Sequence, residues 1–346
     1  MAKAISLVLV TYFSAEEAAQ AVSSFRSEAA AAGRAGEVVI VDHSESSAEA
    51  EALEALAPDV LWPRPNRGYA AGLNAGVAAA GGEVLLLSNP DVSLDPGSLP
   101  LLLGALGEGW DAVGPLFHLG PWLYPPSDLQ TPRAELHRWL ASLGPRLGER
   151  HRKRELRRFH RLWEAEGPVK LDALSGALIA TTREVLERVG PWDEDYFLYF
   201  EETDWLRRGA EAGCRFAQLP DARARHSWAH AAKPGEQAGR HAASRRRFYD
   251  RHFGALGRWV AGLREGTAPE PPPLPADEEL PAEADWYLSP SPRGVPAAWG
   301  SGVGREGLRD AVWRFRRQSG WVEGPLYVTA RLRGQGGVLG GPYRID

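Results

Sequence analysis

Ile5-Ser6-Leu7-Val8-Leu9-Val10-Thr11 is an unbroken apolar, β-branched run with no helical spacing, the pattern of a strand buried on both faces. Glu37-Val38-Val39-Ile40-Val41-Asp42 repeats it. Between and after these runs the sequence predicts helices over 15–32 and 48–56, a short strand over 60–62, a helix over 69–80 and a strand over 83–88. Strands that alternate with short helices build a mainly parallel sheet covered on both faces. Ligands on such sheets sit beyond the carboxyl ends of the strands. The expected fold class is therefore α/β, Rossmann-like, with chemistry sought at those ends.

Three strand ends carry polar side chains: Thr11-Tyr12, Asp42-His43-Ser44 and Ser88-Asn89-Pro90-Asp91. Between the last two lies Asn66-Arg67-Gly68-Tyr69-Ala70-Ala71-Gly72-Leu73-Asn74-Ala75-Gly76, with a glycine at every fourth position. A helical glycine costs up to about 1 kcal/mol relative to alanine, so three on one face require a close approach, either to a ligand or to the sheet. Arg67, at the start of that helix, has the reach and geometry to bind a phosphate. Asp95-Pro96 has the N-cap and first-turn order of a helix over 99–105. Asp91 has no such helix to cap, and its carboxylate is available.

The 346 residues exceed what one core usually organises, so two unequal units are expected. A net charge of -5 gives no global reason to bind nucleic acid. The single cysteine, Cys214, excludes an internal disulfide and multi-thiolate metal sites, as suits a reducing compartment. No apolar run approaches membrane-spanning length, and the expectation is a cytoplasmic protein. One Met and only three Asn beside abundant Arg suggest a thermophile or a GC-rich genome. All three Asn, at 66, 74 and 89, fall among the motifs above.

Taken in order and spacing, Val10-Thr11-Tyr12, Val41-Asp42-His43-Ser44, the 66–74 segment and Ser88-Asn89-Pro90-Asp91 resemble the donor half of family-2 glycosyltransferases of the GT-A fold, particularly the bacterial rhamnosyltransferase-like group. The resemblance implies an inverting transferase that takes a sugar from a nucleoside-diphosphate sugar. It implies that Thr11, Tyr12, Asp42, Asn66, Arg67, Gly68, Asn74, Asn89 and Asp91 line the nucleotide-sugar site. It also implies that Asp91 holds Mg2+ or Mn2+, with Asn89 standing where the family's carboxylate triplet usually begins with Asp. Such an ion would neutralise the leaving diphosphate.

In the second half, Leu174-Ser175-Gly176-Ala177 leads into a predicted strand over 178–181 and a helix over 183–189. Then Gly190-Pro191-Trp192-Asp193-Glu194-Asp195 precedes an aromatic run, Tyr196 to Phe200, and the acids Glu201, Glu202 and Asp204. Taken alone, three acids could simply suit a helix N-terminus. The resemblance assigns the general base to Glu202, with Asp204 as the rival, and acceptor contacts to Trp192, Tyr196 and Glu201. In-line displacement at an anomeric carbon needs a base opposite the leaving group, and an ordinary glutamate is already ionised at neutral pH. His226 falls where the family places a metal-ligating or diphosphate-contacting histidine, and imidazole is a competent manganese ligand. His230 is a second candidate.

Residues 1–265 are expected to form the transferase domain: a donor half over 1–115, a basic helical insert over 133–166 broken at Gly144-Pro145, and an acceptor half over 167–265 that closes with a helix over 240–252. The acceptor is expected to be a saccharide or a lipid-linked saccharide in cell-surface polysaccharide synthesis. The cations from Arg150 to Arg161 would either rest on an anionic membrane or form a solvated face. Residues 266–281 read as a stiff Pro-rich linker. Residues 282–346 read as a small β-rich module with a strand over 326–332, whose Trp286, Trp299, Trp313 and Trp321 suit either sugar stacking or a small core. Two other functions fit less well. A sugar nucleotidyltransferase needs a glycine-rich loop after the first strand, where this chain has Thr11 to Ala15. A noncatalytic saccharide-binding protein has no use for Asp91, Glu202 and His226 together.

Overall fold

The β-branched runs form the centre of the structure, a computed structural model that describes residues 5–127, 130–227, 234–263, 266, 268–294, 297–300, 302–319, 324–332 and 339–345. The chain begins β1 (Ile5–Thr11), α1 (Ala15–Ala31), β2 (Gly36–Asp42), α2 (Ser47–Glu54), β3 (Val60–Pro63), α3 (Tyr69–Ala79) and β4 (Val84–Ser88), which is the expected alternation. It continues through β5 (Val92–Leu94), α4 (Ser98–Gly107), β6 (Ala112–Leu119), β7 (Trp122–Leu123), α5 (Pro132–Ala141) and α6 (Pro145–Trp163). Next come β8 (Val169–Leu171), β9 (Leu178–Thr182), α7 (Arg183–Val189), α8 (Glu201–Glu211), β10 (Phe216–His226) and α9 (Pro234–Ala261), the last broken at Gly254. Then follow β11 (Ala284–Ser289), β12 (Ala298–Gly300), α10 (Leu308–Ser319), β13 (Leu326–Leu332) and β14 (Leu339–Ile345). Helix α4 starts later than the Asp95-Pro96 signal predicts: its N-cap is the left-handed Gly97, and Asp95 instead closes a turn by accepting from the Ser98 N–H.

Two compact units emerge, one of residues 1–116, 126–130 and 166–258, the other of 117–125, 131–165 and 259–346. By its contacts the basic insert groups with the C-terminal chain.

In the first unit β1 runs parallel to β2 and β4, and β2 to β3, while β9 joins antiparallel to β4 and to β6. Register aligns the functional ends: Thr11 pairs with Asp42, and Leu9 with Ser88. The strands β5 and β8 both pair antiparallel with β10. The glycines of α3 are explained by the sheet. A Cβ on Gly72 would lie 2.5 Å from Val10 Cγ1, and one on Gly76 2.4 Å from Val8 Cγ1. Stiff β-branched side chains fill the space that alanine would need.

In the second unit β11 lies between β12 and β13, with β14 beyond β13 and β7 beyond β12. Its aromatics form a core: Trp286, Tyr287 and Trp163 are buried, and Trp299 packs on Trp163 with ring centres 5.2 Å apart. Two indole N–H groups are satisfied within it, Trp122 donating to the Ala311 carbonyl and Trp163 to that of Tyr124. The small-core reading of these tryptophans thus holds for 286 and 299; Trp313 is exposed, and Trp321 lies outside the described residues. The Pro-rich segment is not a free spacer. Leu274 N–H donates to the Arg344 carbonyl, Arg344 N–H donates to that of Pro272, and Leu280 is buried.

Candidate active site

At the ends of β1 and β2, the buried Thr11 hydroxyl donates to Asp42 Oδ1 at 3.2 Å. Ser44 donates to the same oxygen from its N–H at 3.0 Å and its hydroxyl at 2.6 Å. Three donors fix the Asp42 carboxylate, and Ser44 Oγ also accepts from the Phe13 N–H, tying the two loops together. Tyr12 and Phe13 stand exposed beyond them, ring edge to ring face at 4.9 Å. His43 is buried, and desolvation pushes its imidazole below the ordinary value despite a hydrogen bond with Asn66. At the end of β3, the Arg64 guanidinium lies 3.6 Å over the Trp62 ring. The sequence marks His43 and Ser44 only as part of a polar strand end and gives no hint of the Trp62–Arg64 stack, because its place depends on strand register.

The start of α3 is anchored to the aromatic run of the second half. Tyr69 N–H donates to the Phe197 carbonyl at 2.8 Å, and Asn66 Oδ1 accepts from the Gly68 N–H. Gly68 has φ +97°, and a Cβ there would lie 2.5 Å from the Phe197 oxygen, so only glycine fits. Asn74 differs from its expected role. Its amide donates to the Trp192 carbonyl and accepts from the Trp192 N–H, both at 2.9 Å, and also reaches Glu194. Arg67 pairs with Glu194 at 3.0 Å on the surface. Both residues brace the 192–197 loop.

The antiparallel pairing of β10 with β5 sets His226 opposite Val92 and brings His226 Nε2 to 3.4 Å from Asp91 Oδ2. Two residues before Asp91, Asn89 Oδ1 accepts from the Tyr69 hydroxyl at 2.9 Å, and Asn89 N–H donates to the Ala177 carbonyl. Among the described residues no group of three or more His, Cys, Asp and Glu is arranged to hold a metal. His230 lies outside them.

Helix α8 opens on Glu201 after two consecutive non-glycine residues in the left-handed region, Tyr199 and Phe200, both at φ 69°. That conformation is strained for bulky side chains and persists only where packing enforces it. Here His241 packs edge-on against Tyr199 and tilted against Phe200, and Ser244 Oγ donates to the Leu198 carbonyl. The three acids then divide. Glu201 is buried, with nothing among the described residues bonded to Oε2; burial, then the neighbouring Glu202 charge, push it well above the carboxylate range. Glu202 is partly exposed, packs over Gly176, and is also raised by burial. Asp204 is sealed, its oxygens accepting from Arg208 Nε and His252 Nε2, each at 2.8 Å. Burial alone would raise it, but these bonds and the Arg208 and Arg251 charges hold it below the ordinary value.

The geometry commits Asp204 to Arg208 and His252 and leaves Glu202 the more accessible carboxylate. It also corrects two expected acceptor contacts. Trp192 is buried and stacks on Trp205, planes 10° apart at 5.1 Å, and Tyr196 is fully buried, so both serve the core. Tyr69 is what the sequence reading missed. Its hydroxyl donates to Asn89 Oδ1, and burial, followed by the charges of Glu201, Glu202 and Asp91, pushes its phenol far up. No spacing rule signals it, since its partners lie 20 to 133 residues away.

A family model, "Glycosyl transferase family 2", matches residues 6–163. An N-acetylglucosaminyl-diphospho-decaprenol L-rhamnosyltransferase, found in two strains of Mycobacterium tuberculosis, is 32% identical over 249 residues, 66% of this chain and 78% of the relative. Among solved structures, a mannosyltransferase from Pyrobaculum calidifontis in complex with GDP-Man and Mn2+ aligns with TM-score 0.46 and 19% identity, over 77% of this chain and 65% of that one. GalNAc-T7 with UDP, GalNAc and Mn2+ aligns with TM-score 0.46 and 17% identity, over 65% and 44%.

Proposed function

This chain belongs to glycosyltransferase family 2, and from that membership we propose that it is a metal-dependent, inverting enzyme moving a sugar from a nucleoside diphosphate to a saccharide carried on a lipid diphosphate in cell-surface polysaccharide synthesis. The acceptor class follows the name of the mycobacterial relative. The observation that carries the mechanism is His226 Nε2 facing Asp91 Oδ2 at 3.4 Å, with Asn89, two residues before Asp91, accepting from the Tyr69 hydroxyl.

A carboxylate oxygen and an imidazole nitrogen 3.4 Å apart suit Mn2+ or Mg2+, with imidazole favouring manganese. Such an ion would be held by Asp91 and His226 and would supply Lewis-acid stabilisation of the diphosphate. Asp42, fixed by Thr11 and Ser44, offers its carboxylate to the nucleoside. Asn89, oriented by Tyr69, borders the donor. Glu202, the exposed member of the acid pair, takes the acceptor hydroxyl proton. Its raised affinity for a proton makes it a stronger base than a surface glutamate. Glu201, buried beside it, is itself pushed well above the carboxylate range by burial and the Glu202 charge.

A thermal-shift screen of UDP, dTDP and GDP sugars with and without manganese tests the class, since a specific ligand stabilises the folded state. One nucleotide sugar should raise Tm only when metal is present, and Asp91→Ala should abolish the metal-dependent part. Retention of that part in Asp91→Ala would remove Asp91 from the metal site.

A further inference from the structure

Helix α6 is a dense run of cations in the second unit, seven arginines and a lysine in 19 residues, and the proposed donor chemistry makes no use of it. At 3.6 residues per turn, Leu147, Arg150, Arg154, Arg157 and Arg161 fall within an arc of about 80°. All five are exposed, while Leu156, Phe159, His160 and Trp163, on the opposite side of the helix, are buried. The acids of α6 are committed elsewhere: Glu149 pairs with Arg152 and Lys153, and Glu155 with Arg158. Arg150, Arg157 and Arg161 have no carboxylate partner among the described residues, and Arg154 meets only the His137 ring.

A solvated face would explain cations but not the apolar groups beside them. Leu140 near the end of α5, Leu143 in the link and Leu147 in the first turn of α6 are 37%, 55% and 42% exposed. Three leucines held in water around one helix joint are unfavourable without a partner. The link is also fixed in place, because Ser142 Oγ accepts from the Gly266 N–H and its carbonyl from Arg293.

We propose that the α5–α6 hairpin docks on an anionic phospholipid bilayer, with Leu140, Leu143 and Leu147 entering the acyl boundary and the Arg150–Arg161 stripe lying against the headgroups. Leucines bordered by unpaired arginines match both layers of that interface. Nucleic acid would engage the arginines and leave the leucines without a role. No helix among the described residues is long and apolar enough to cross a membrane, so this contact is peripheral.

Cosedimentation of the full chain with phosphatidylcholine vesicles, with and without about one third phosphatidylglycerol, tests the surface. Binding is expected to acidic vesicles alone and to weaken with salt. Reversing Arg150, Arg154, Arg157 and Arg161 together to Glu should lower partitioning by about 100-fold or more. Leu143→Ser with Leu147→Ser, which leaves every charge in place, should lower it by about 10-fold. Circular dichroism and donor-induced thermal shift, unchanged in both variants, confirm that they are folded. Absent binding, equal binding to neutral vesicles, or a leucine variant at wild-type level and displaced equally by DNA would each overturn the proposal, the last marking a general polyanion surface.

Discussion

Helix α3 begins at Tyr69, whose N–H is bonded to Phe197, and α8 begins four residues beyond Phe197, yet their first turns are built on opposite principles. In α3 small residues let the backbone sink onto Val8 and Val10, and Asn74 and Arg67 hold a loop. The start of α8 instead collects acids behind two strained residues, and one of them, Glu201, is buried with an oxygen that no described residue bonds. The first helix start is satisfied by packing. The second retains polar groups that packing leaves unmatched, and such groups mark where chemistry is done. Within α8 a related contrast recurs over two residues, because Asp204 is held by Arg208 and His252 and depressed while Glu202 is raised by burial.

The largest effect expected from breaking this contrast is on folding. Asp204→Asn removes the charge that Arg208 and His252 are bonded to, and a broken buried pair costs about 3 kcal/mol, somewhat less where the arginine is partly solvated. Denaturant unfolding should show that loss, with turnover per folded molecule little changed. A variant that stays stable but loses turnover would make Asp204 the base. The pH dependence has a definite sign. The Asp204 carboxyl is depressed in the folded state, so it stabilises above the ordinary aspartate value of about 3.9 and loses that contribution as pH falls through its lower folded value.

Glu202→Gln should leave stability and metal-dependent donor binding intact while transfer falls by about 100-fold or more, roughly 2.7 kcal/mol of barrier. Glu202 is shifted in the opposite direction from Asp204, so its protonated, inactive form persists above the ordinary glutamate value of about 4.3. The kcat/KM profile should rise with pH through a midpoint above that value, under conditions where the protein is fully folded. In Glu202→Gln the rising limb should vanish. A limb that survives in the variant would assign it to another group, with Glu201 next to be tested.

The donor half was legible because its signals are local. Strand ends, a cap glycine and the carboxylate of Asp91 each declare themselves within a few residues, and parallel register then carries Thr11, Asp42 and Ser88 to one edge. The acceptor half misled where burial decides the role. Trp192 and Tyr196 sit in a loop composed like a binding loop, but stacking on Trp205 and enclosure by Arg247 make them core, and no sequence pattern distinguishes an aromatic ring facing inward from one facing a ligand. The packing partners of the basic insert were illegible for a related reason: its apolar stripe of Leu156, Phe159 and Trp163 shows that it packs, but Tyr287 and Trp299 lie more than a hundred residues later.

The smallest predicted effect isolates the packing half of the comparison. Alanine normally improves a helix over glycine by up to about 1 kcal/mol. At Gly104 of α4 nothing lies within 4 Å of the added methyl group, so Gly104→Ala should stabilise by some fraction of that amount. At Gly76 the same methyl would meet Val8 Cγ1 at 2.4 Å, and the β-branched side chain, locked between sheet and helix, has no alternative rotamer to retreat to. Overpacking of this kind costs about 1 to 3 kcal/mol, which exceeds the helical gain and leaves a net loss of about 1 kcal/mol. Thermal melts of the two variants should therefore shift in opposite directions. If Gly76→Ala matched Gly104→Ala in sign, the glycines of α3 would not be explained by the sheet, and the approach of a ligand to that helix would become the reason for them.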